Sequence, residues 1–185
     1  MKLICLDAGH GGQDKGASFQ GLDEKEVVYD VVRRLERRLM PTVQLHCFLT
    51  REKDVFVPLE DRVKFANDHH CDFFVSVHTN ADADPDDPGM PEARGAEVWI
   101  TTGSPKSRQL ADAMSWGMQW QFPDEPWRGI KERGLYVLRN TRMPAALVEL
   151  AFIDHSDTNR KLRDASVREE IAFALEMGVI RYLSL

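Results

Sequence analysis

The feature that most constrains this 185-residue chain is an alternation of two periodicities. Short apolar runs, Leu3–Leu6, Val43–Leu49 and Asp72–Val77, are separated by two stretches whose apolar residues recur at helical spacing. From Glu24 onward Val27, Val28, Val31, Val32, Leu35 and Leu39 share one side, Arg33, Arg34, Arg37 and Arg38 take the other, and Pro41 ends the run. That pattern marks an amphipathic helix. Leu59 to His69 repeats it on a smaller scale through Leu59, Val63 and Ala66. Asp72-Phe-Phe-Val-Ser-Val77 is close to continuously apolar, as expected of a strand buried on both faces. Strand, helix, strand, helix, strand in this order predicts a sheet that is at least partly parallel, with crossover helices.

The remainder extends the pattern. Residues 79 to 94, with Pro85, Pro88, Pro91 and four aspartates, read as a surface loop, and Ala96–Thr101 as a strand. Ser104 before Pro105 starts a helix that runs to about Trp120. A polar and aromatic loop follows with Pro123, Pro126 and Trp127, then two runs, Leu135–Leu138 and Ala145–Leu150, that read as strands. The capping box Ser166-Val-Arg-Glu169 opens a last helix whose buried face is Val167, Ile171, Ala174, Leu175 and Tyr182. No repeat or linker interrupts the chain. The expectation is one α/β domain over residues 1–185, a mixed and largely parallel twisted sheet of about six strands flanked by helices on both faces, with no separate binding domain.

Composition removes several functions. The chain carries 24 Lys+Arg against 30 Asp+Glu, a net charge of −6. Nucleic acid is therefore not an expected partner, because its capture needs a basic footprint. No apolar stretch approaches the ~18 residues of a membrane span, and Met1-Lys2 leads directly into strand-like residues without a signal-type segment. The expectation is a chain made in the cytoplasm. Cys5, Cys47 and Cys71 lie among apolar neighbours without paired spacing and read as buried thiols.

Chemistry concentrates where strands end. His10 follows the first strand, His78 the third, Glu149 lies near the end of the last strand, and Glu24 opens the first helix. In open α/β sheets ligands bind beyond the carboxyl ends of strands, so residues distant in sequence converge there. Two imidazoles and a carboxylate make a catalytic zinc set that leaves one tetrahedral position open. The competing reading of any one of the six histidines is a hydrogen-bonded structural residue; for His10 the flanking Gly9 and Gly11-Gly12 favour close approach to something bound. Taken alone, Glu149 reads equally well as a buried carboxylate paired with Arg139 or Arg142.

Five separated motifs then coincide: Leu6-Asp-Ala-Gly-His-Gly-Gly12, Gly21-Leu-Asp-Glu-Lys25, Leu49-Thr-Arg51 with Asp54 and Arg62, Ser76-Val-His-Thr-Asn-Ala81, and Met143-Pro-Ala-Ala-Leu-Val-Glu149. Together they span nearly the whole chain. The chain resembles the zinc-dependent N-acetylmuramoyl-L-alanine amidases of bacterial autolysins and phage endolysins. The resemblance implies one Zn2+ held by His10, Glu24 and His78, and Glu149 as the catalytic glutamate. Glu26, the rival for Glu24, fits a solvated helix face better. The family usually has proline where Ala8 stands, and the residue after the second histidine varies, being Thr79 here. The implied reaction is hydrolysis of the amide between N-acetylmuramic acid and L-alanine of peptidoglycan, with Glu149 moving the proton. It further implies a chain that acts on the cell wall after release, in phage-type or mother-cell lysis, and a monomer is expected.

Further candidates remain open at this level. Asn80 either contacts substrate or caps its own loop, and Lys131, Arg139 and Arg142 are candidates to hold stem-peptide carboxylates, at least one of them being a solvated charge. Asp82-Ala-Asp84-Pro-Asp86-Asp87 lacks the glycine and glutamate of a calcium loop and reads as a solvated rim. Trp116, Trp120, Phe122 and Trp127 form either a sugar platform or, for the two at helical spacing, core. His69-His70 reads as exposed, without a ligand role. Two other functions compete: a non-catalytic peptidoglycan-binding or regulatory module of the same fold, and a nucleotide cradle at Gly9-His-Gly-Gly12. The latter lacks both phosphate-loop glycine patterns.

Overall fold

The alternation persists through the computed structural model, which describes residues 1–42, 44–82 and 93–184. In chain order the elements are β1 (Lys2–Ala8), β2 (Ser18–Phe19), β3 (Leu22–Asp23), α1 (Glu24–Leu39), β4 (Leu45–Leu49), α2 (Leu59–Asp68) and β5 (Phe73–Asn80). They continue with β6 (Ala96–Ile100), α3 (Pro105–Gln121), β7 (Trp127–Glu132), α4 (Tyr136–Asn140), β8 (Ala145–Phe152), α5 (Ser156–Arg163) and α6 (Ala165–Leu183). Six strands form one sheet in the order β4-β1-β5-β8-β6-β7, and β2 pairs with β3 in a small hairpin. β4, β1, β5 and β8 are mutually parallel, β6 runs antiparallel to β8, and β7 is parallel to β6. This is the mixed, largely parallel α/β sheet expected from the sequence.

Because side chains alternate along a strand, each strand serves two layers. On one face Ile4, Leu6, Ala8, Phe73, Val75, Val77, Val98 and Val148 join the apolar sides of α1, α3 and α6 in the main core. Arg34 and Arg38 on α1 reach Glu169 and Glu176 on α6 and lock the two helices together. On the other face Cys5, Phe74, Ala145 and Leu147 pack with Val63 and Ala66 of α2 and with Val137 and Leu138 of α4. Further along the same strands, toward their carboxyl ends, this second face turns polar at Asp7, Ser76, His78 and Glu149.

Several local expectations are corrected. Leu135–Leu138 is not a strand: residues 136–140 form α4, where Asn140 donates to the Tyr136 carbonyl and Thr141 to that of Val137. Four apolar residues do not carry enough period to separate strand from helix. The sixth strand is instead β7, inside the segment read as a loop; an edge strand needs one partner only and so carries Arg128, Lys131 and Glu132 without penalty. α5 was not anticipated. Asp164, not Ser166, caps α6, accepting from both the amide and the hydroxyl of Ser166. On α6, Ile171, Ala174 and Leu175 are buried as expected, with Val167 and Tyr182 at the margin. His78 lies within β5 rather than after it. Trp120 is not core but 53% exposed, stacked on half-buried Trp116. Cys5 and Cys71 are buried and Cys47 half-buried, all as free thiols. His70 is exposed and half-buried His69 stacks on Phe65. Val43, the first residue of the second expected strand, and most of the acidic rim at 83–92 lie outside the described residues. Among the described residues no helix is long and apolar enough to cross a membrane.

Candidate metal centre and active site

The loop after β1 is fastened from beneath before it presents any chemistry. Buried Asp7 accepts from Arg62 Nη1 at 2.7 Å and from the hydroxyls of Thr50 and Ser76, each at 2.6 Å. Arg62 also donates to the carbonyls of Ala8 and His10, and buried Arg51 to those of Ala8 and Gly9. Lys25 and Asp54 clamp Gly12 through its carbonyl and amide. Every polar residue of the Leu49-Thr-Arg51, Asp54 and Arg62 motif thus holds this loop.

On that base three donors converge. His10 takes a left-handed conformation, φ 59°, and its Nε2 lies 3.1 Å from Glu24 Oε2, while its Nδ1 contacts Asp14 at 2.9 Å. Glu24, 3% exposed at the first turn of α1, has its Oε1 3.0 Å from His78 Nδ1 and accepts there from the amide of Thr79. The amide of Ala17 donates to Glu24 Oε2. One ligand atom from each of His10, Glu24 and His78 falls within a 4.8 Å group. Two glycines make this approach possible: a Cβ on Gly9 would stand 2.3 Å from the His78 ring, and one on Gly16 would stand 2.5 Å from Glu24 Oε2 and 2.6 Å from His10. Glu26 faces solvent.

The three groups shift one another's protonation. Burial works against a charged His10, but its contacts with Glu24 and then Asp14 push it up to about 9. Burial also opposes the Glu24 carboxylate, and the two imidazoles hold it well below the usual range. Two nitrogens and a carboxylate oxygen are the donor types of a catalytic zinc site, with Asp14 orienting His10 in the way such ligands are oriented. The residues fit a zinc ion.

Glu149 stands beside this cluster, in register with His78 on β5 and Glu97 on β6. Its Oε2 is buried without a hydrogen-bond partner, and neither Arg139 nor Arg142 pairs with it. Burial, aided by the neighbouring Glu24 and Glu97 charges against the pull of His78, pushes its carboxyl up to about 7.

The other candidates are distributed unevenly. Asn80 donates to Glu97 and accepts from the Ala81 amide, so both ends of its amide are used. Lys131 also ends on Glu97, at 2.6 Å. Arg139 is exposed on α4, and Arg142 is exposed where α2 ends and β8 begins, at the opposite end of the sheet from His78. Sequence reasoning missed Glu97 and Asp14. The available signal for Glu97 was a lone acid in the apolar run Ala96–Ile100; Asp14, four residues after His10 in a loop, had none.

Comparison with known proteins identifies the family. The sequence profile of the family described as N-acetylmuramoyl-L-alanine amidase matches residues 4–181. The endolysin of Bacillus phage SPP1 is 36% identical over 192 residues, covering 100% of this chain and 67% of its own length. The N-acetylmuramoyl-L-alanine amidase LytC of Bacillus subtilis is 34% identical over 98% of this chain, which spans only 35% of that protein. An N-acetylmuramoyl-L-alanine amidase of Clostridium difficile 630 superposes with a TM-score of 0.92 at 28% identity, over 99% of this chain and 97% of that one. With the profile matching residues 4–181 and these relatives covering nearly all of it, the chain belongs to the N-acetylmuramoyl-L-alanine amidase family, enzymes that hydrolyse peptidoglycan.

Proposed function

We propose that the chain is a zinc-dependent amidase that cuts between N-acetylmuramic acid and L-alanine, with His10, Glu24 and His78 as ligands and Glu149 as general base. The observation that carries this reading is the buried, unpartnered Oε2 of Glu149 in register with His78. A buried acceptor left open is costly unless something else meets it. A zinc ion at the donor cluster supplies Lewis acidity toward the substrate carbonyl and acidifies water. Glu149 Oε2 takes the proton of the attacking water and returns it to the departing amine nitrogen, for which a carboxyl poised near neutrality is suited. Asp14 holds His10 through Nδ1, keeping Nε2 toward Glu24. Asn80 and Lys131 line the same side of the site, whereas Arg142 is better read as a solvated charge. A non-catalytic module of the same fold has no use for an open buried carboxylate. We place the action at the cell wall and read the unit as a monomer.

The test is mass spectrometry of fragments released from defined peptidoglycan by zinc-loaded protein, by chelated protein and by Glu149→Gln. Free glycan strands and intact stem peptides are expected from the first alone, with the substitution retaining zinc and losing roughly 10²–10⁴-fold in rate. Undiminished turnover by Glu149→Gln would refute the role of Glu149. Failure to separate glycans from stem peptides would refute the amidase reading.

A further inference from the structure

Glu97 is 1% exposed, yet it lies in β6 directly opposite Glu149 on the polar face of the sheet. A carboxylate so buried persists only if its oxygens are satisfied. Oε1 accepts from Asn80 Nδ2 at 3.0 Å and from Trp99 Nε1 at 2.9 Å, and Oε2 accepts from Arg128 Nε at 3.0 Å and Lys131 Nζ at 2.6 Å. Arg128 and Lys131 are three apart on β7, and in a regular strand that spacing sends side chains to opposite faces. β7 is irregular at this place. Its pairing with β6 shifts between Ala96↔Trp127 and Val98↔Ile130, so that Arg128 and Gly129 together oppose Glu97, and Gly129 takes φ 94°. A bulge of this kind re-aims a side chain. Here it brings both cations onto one anion at the edge of the active site.

The cations are held but not used up. Arg128 binds Glu97 through Nε only; its Nη1 and Nη2 have no hydrogen-bond partner among the described residues, and its side chain is 37% exposed. The guanidinium rests 4.8 Å from the Phe152 ring centroid, and Lys131 Nζ rests 5.1 Å from that of Trp99. Two positive charges against one negative leave a single net positive charge, with a free guanidinium edge suited to a carboxylate. Position narrows the ligand further. Across the sheet the order is His78, Glu149, Glu97, Arg128, so the cations lie on the far side of Glu149 from the metal ligands. If Glu149 protonates the departing amine, the peptide half of the substrate leaves over Glu97.

We propose that Arg128 and Lys131, positioned by Glu97 and the β7 bulge, form a subsite for a free carboxylate in the peptide portion of the substrate. The subsite rests on the amidase reading above and assigns it a specificity determinant. The test uses zinc-loaded protein and two N-acetylmuramoyl-L-alanyl peptides that differ only in whether the residue after alanine bears a carboxylate or a carboxamide. The wild-type protein is expected to prefer the carboxylate by roughly tenfold in kcat/KM, expressed mainly in KM, as for one partly solvated charge-assisted contact. Arg128→Gln and Lys131→Gln each move the ratio toward one, Arg128→Lys restores part of it, and Glu97→Gln lowers it by releasing both cations. A ratio between two substrates is insensitive to how much enzyme is folded. A wild-type ratio near one, or a ratio that survives both Arg128→Gln and Lys131→Gln, overturns the subsite and leaves the amidase reading standing. Cleavage of neither substrate overturns that reading and the subsite with it.

Discussion

The two faces of β5 and β8 are built from adjacent residues and answer to different physics. Val77 and Val148 point into the core beneath α1, α3 and α6, whereas their neighbours His78 and Glu149 point the other way, among charges. The apolar face gains from removing area from water, roughly 25 cal/mol per Å2 and without regard to direction. The polar face gains only when donors meet acceptors in the right geometry, and it fails sharply when one partner is lost. The comparison teaches that packing on one side provides the rigidity against which the other side can hold strained and desolvated groups, such as His10 at positive φ and the open Glu149 oxygen.

Substitutions on each face sharpen the contrast. Arg62→Met leaves Asp7 as a buried unpaired charge and frees the carbonyls of Ala8 and His10, with an expected loss of about 3–5 kcal/mol and of zinc affinity together. Urea unfolding with parallel zinc titration measures both, and a loss of stability that spared zinc binding would break the link between the network and the site. Leu175→Ala, fully buried on α6, is expected to cost about 2–5 kcal/mol while activity per folded molecule is unchanged. Calorimetry alongside an active-site titration would show whether the apolar face is as separable as this implies.

The smallest effect is one of pH on metal-free protein. His10 is held at about 9, above its ordinary 6.5, so folding favours its protonated form. That stabilisation is complete below pH 6.5 and is lost as pH rises through about 9. Glu149, raised from 4.5 to about 7, acts in the same direction over a lower window. Chelated protein is therefore expected to melt at lower temperature at pH 9 than at pH 6.5. The stabilisation gained on adding zinc should grow over the same interval, because metal and proton compete for the ligands. A melting temperature of chelated protein that does not fall between pH 6.5 and 9 would contradict the charge arrangement around His10.

What could be read from the sequence followed the range of the interactions. α1 and β5 were legible because burial imposes a local period, and His10, Glu24, His78 and Glu149 drew attention because each lies toward the carboxyl end of a strand or at the start of a helix. Glu97 was not legible as a hub, since its partners arrive from β5 and from β7 across a bulge that no local pattern announces. α4, expected as a strand, and β7, expected as part of a loop, departed from expectation for a related reason: which short segment takes the sheet edge is decided by the neighbouring strands, not by four to six residues of their own. The tryptophans of α3 share a helical interval that suits a core, but the residues that would have to cover Trp120 leave it exposed.

Gly9 and Gly16 carry no chemistry, yet each occupies the space in which a methyl group would strike His78, Glu24 or His10. They define the centre by exclusion, as a mould defines a casting. For anyone transplanting this site into another scaffold, the specification is therefore six positions and not four. Two of them must be kept vacant, and a search that matched only the donor atoms would accept backbones on which the cluster could never close.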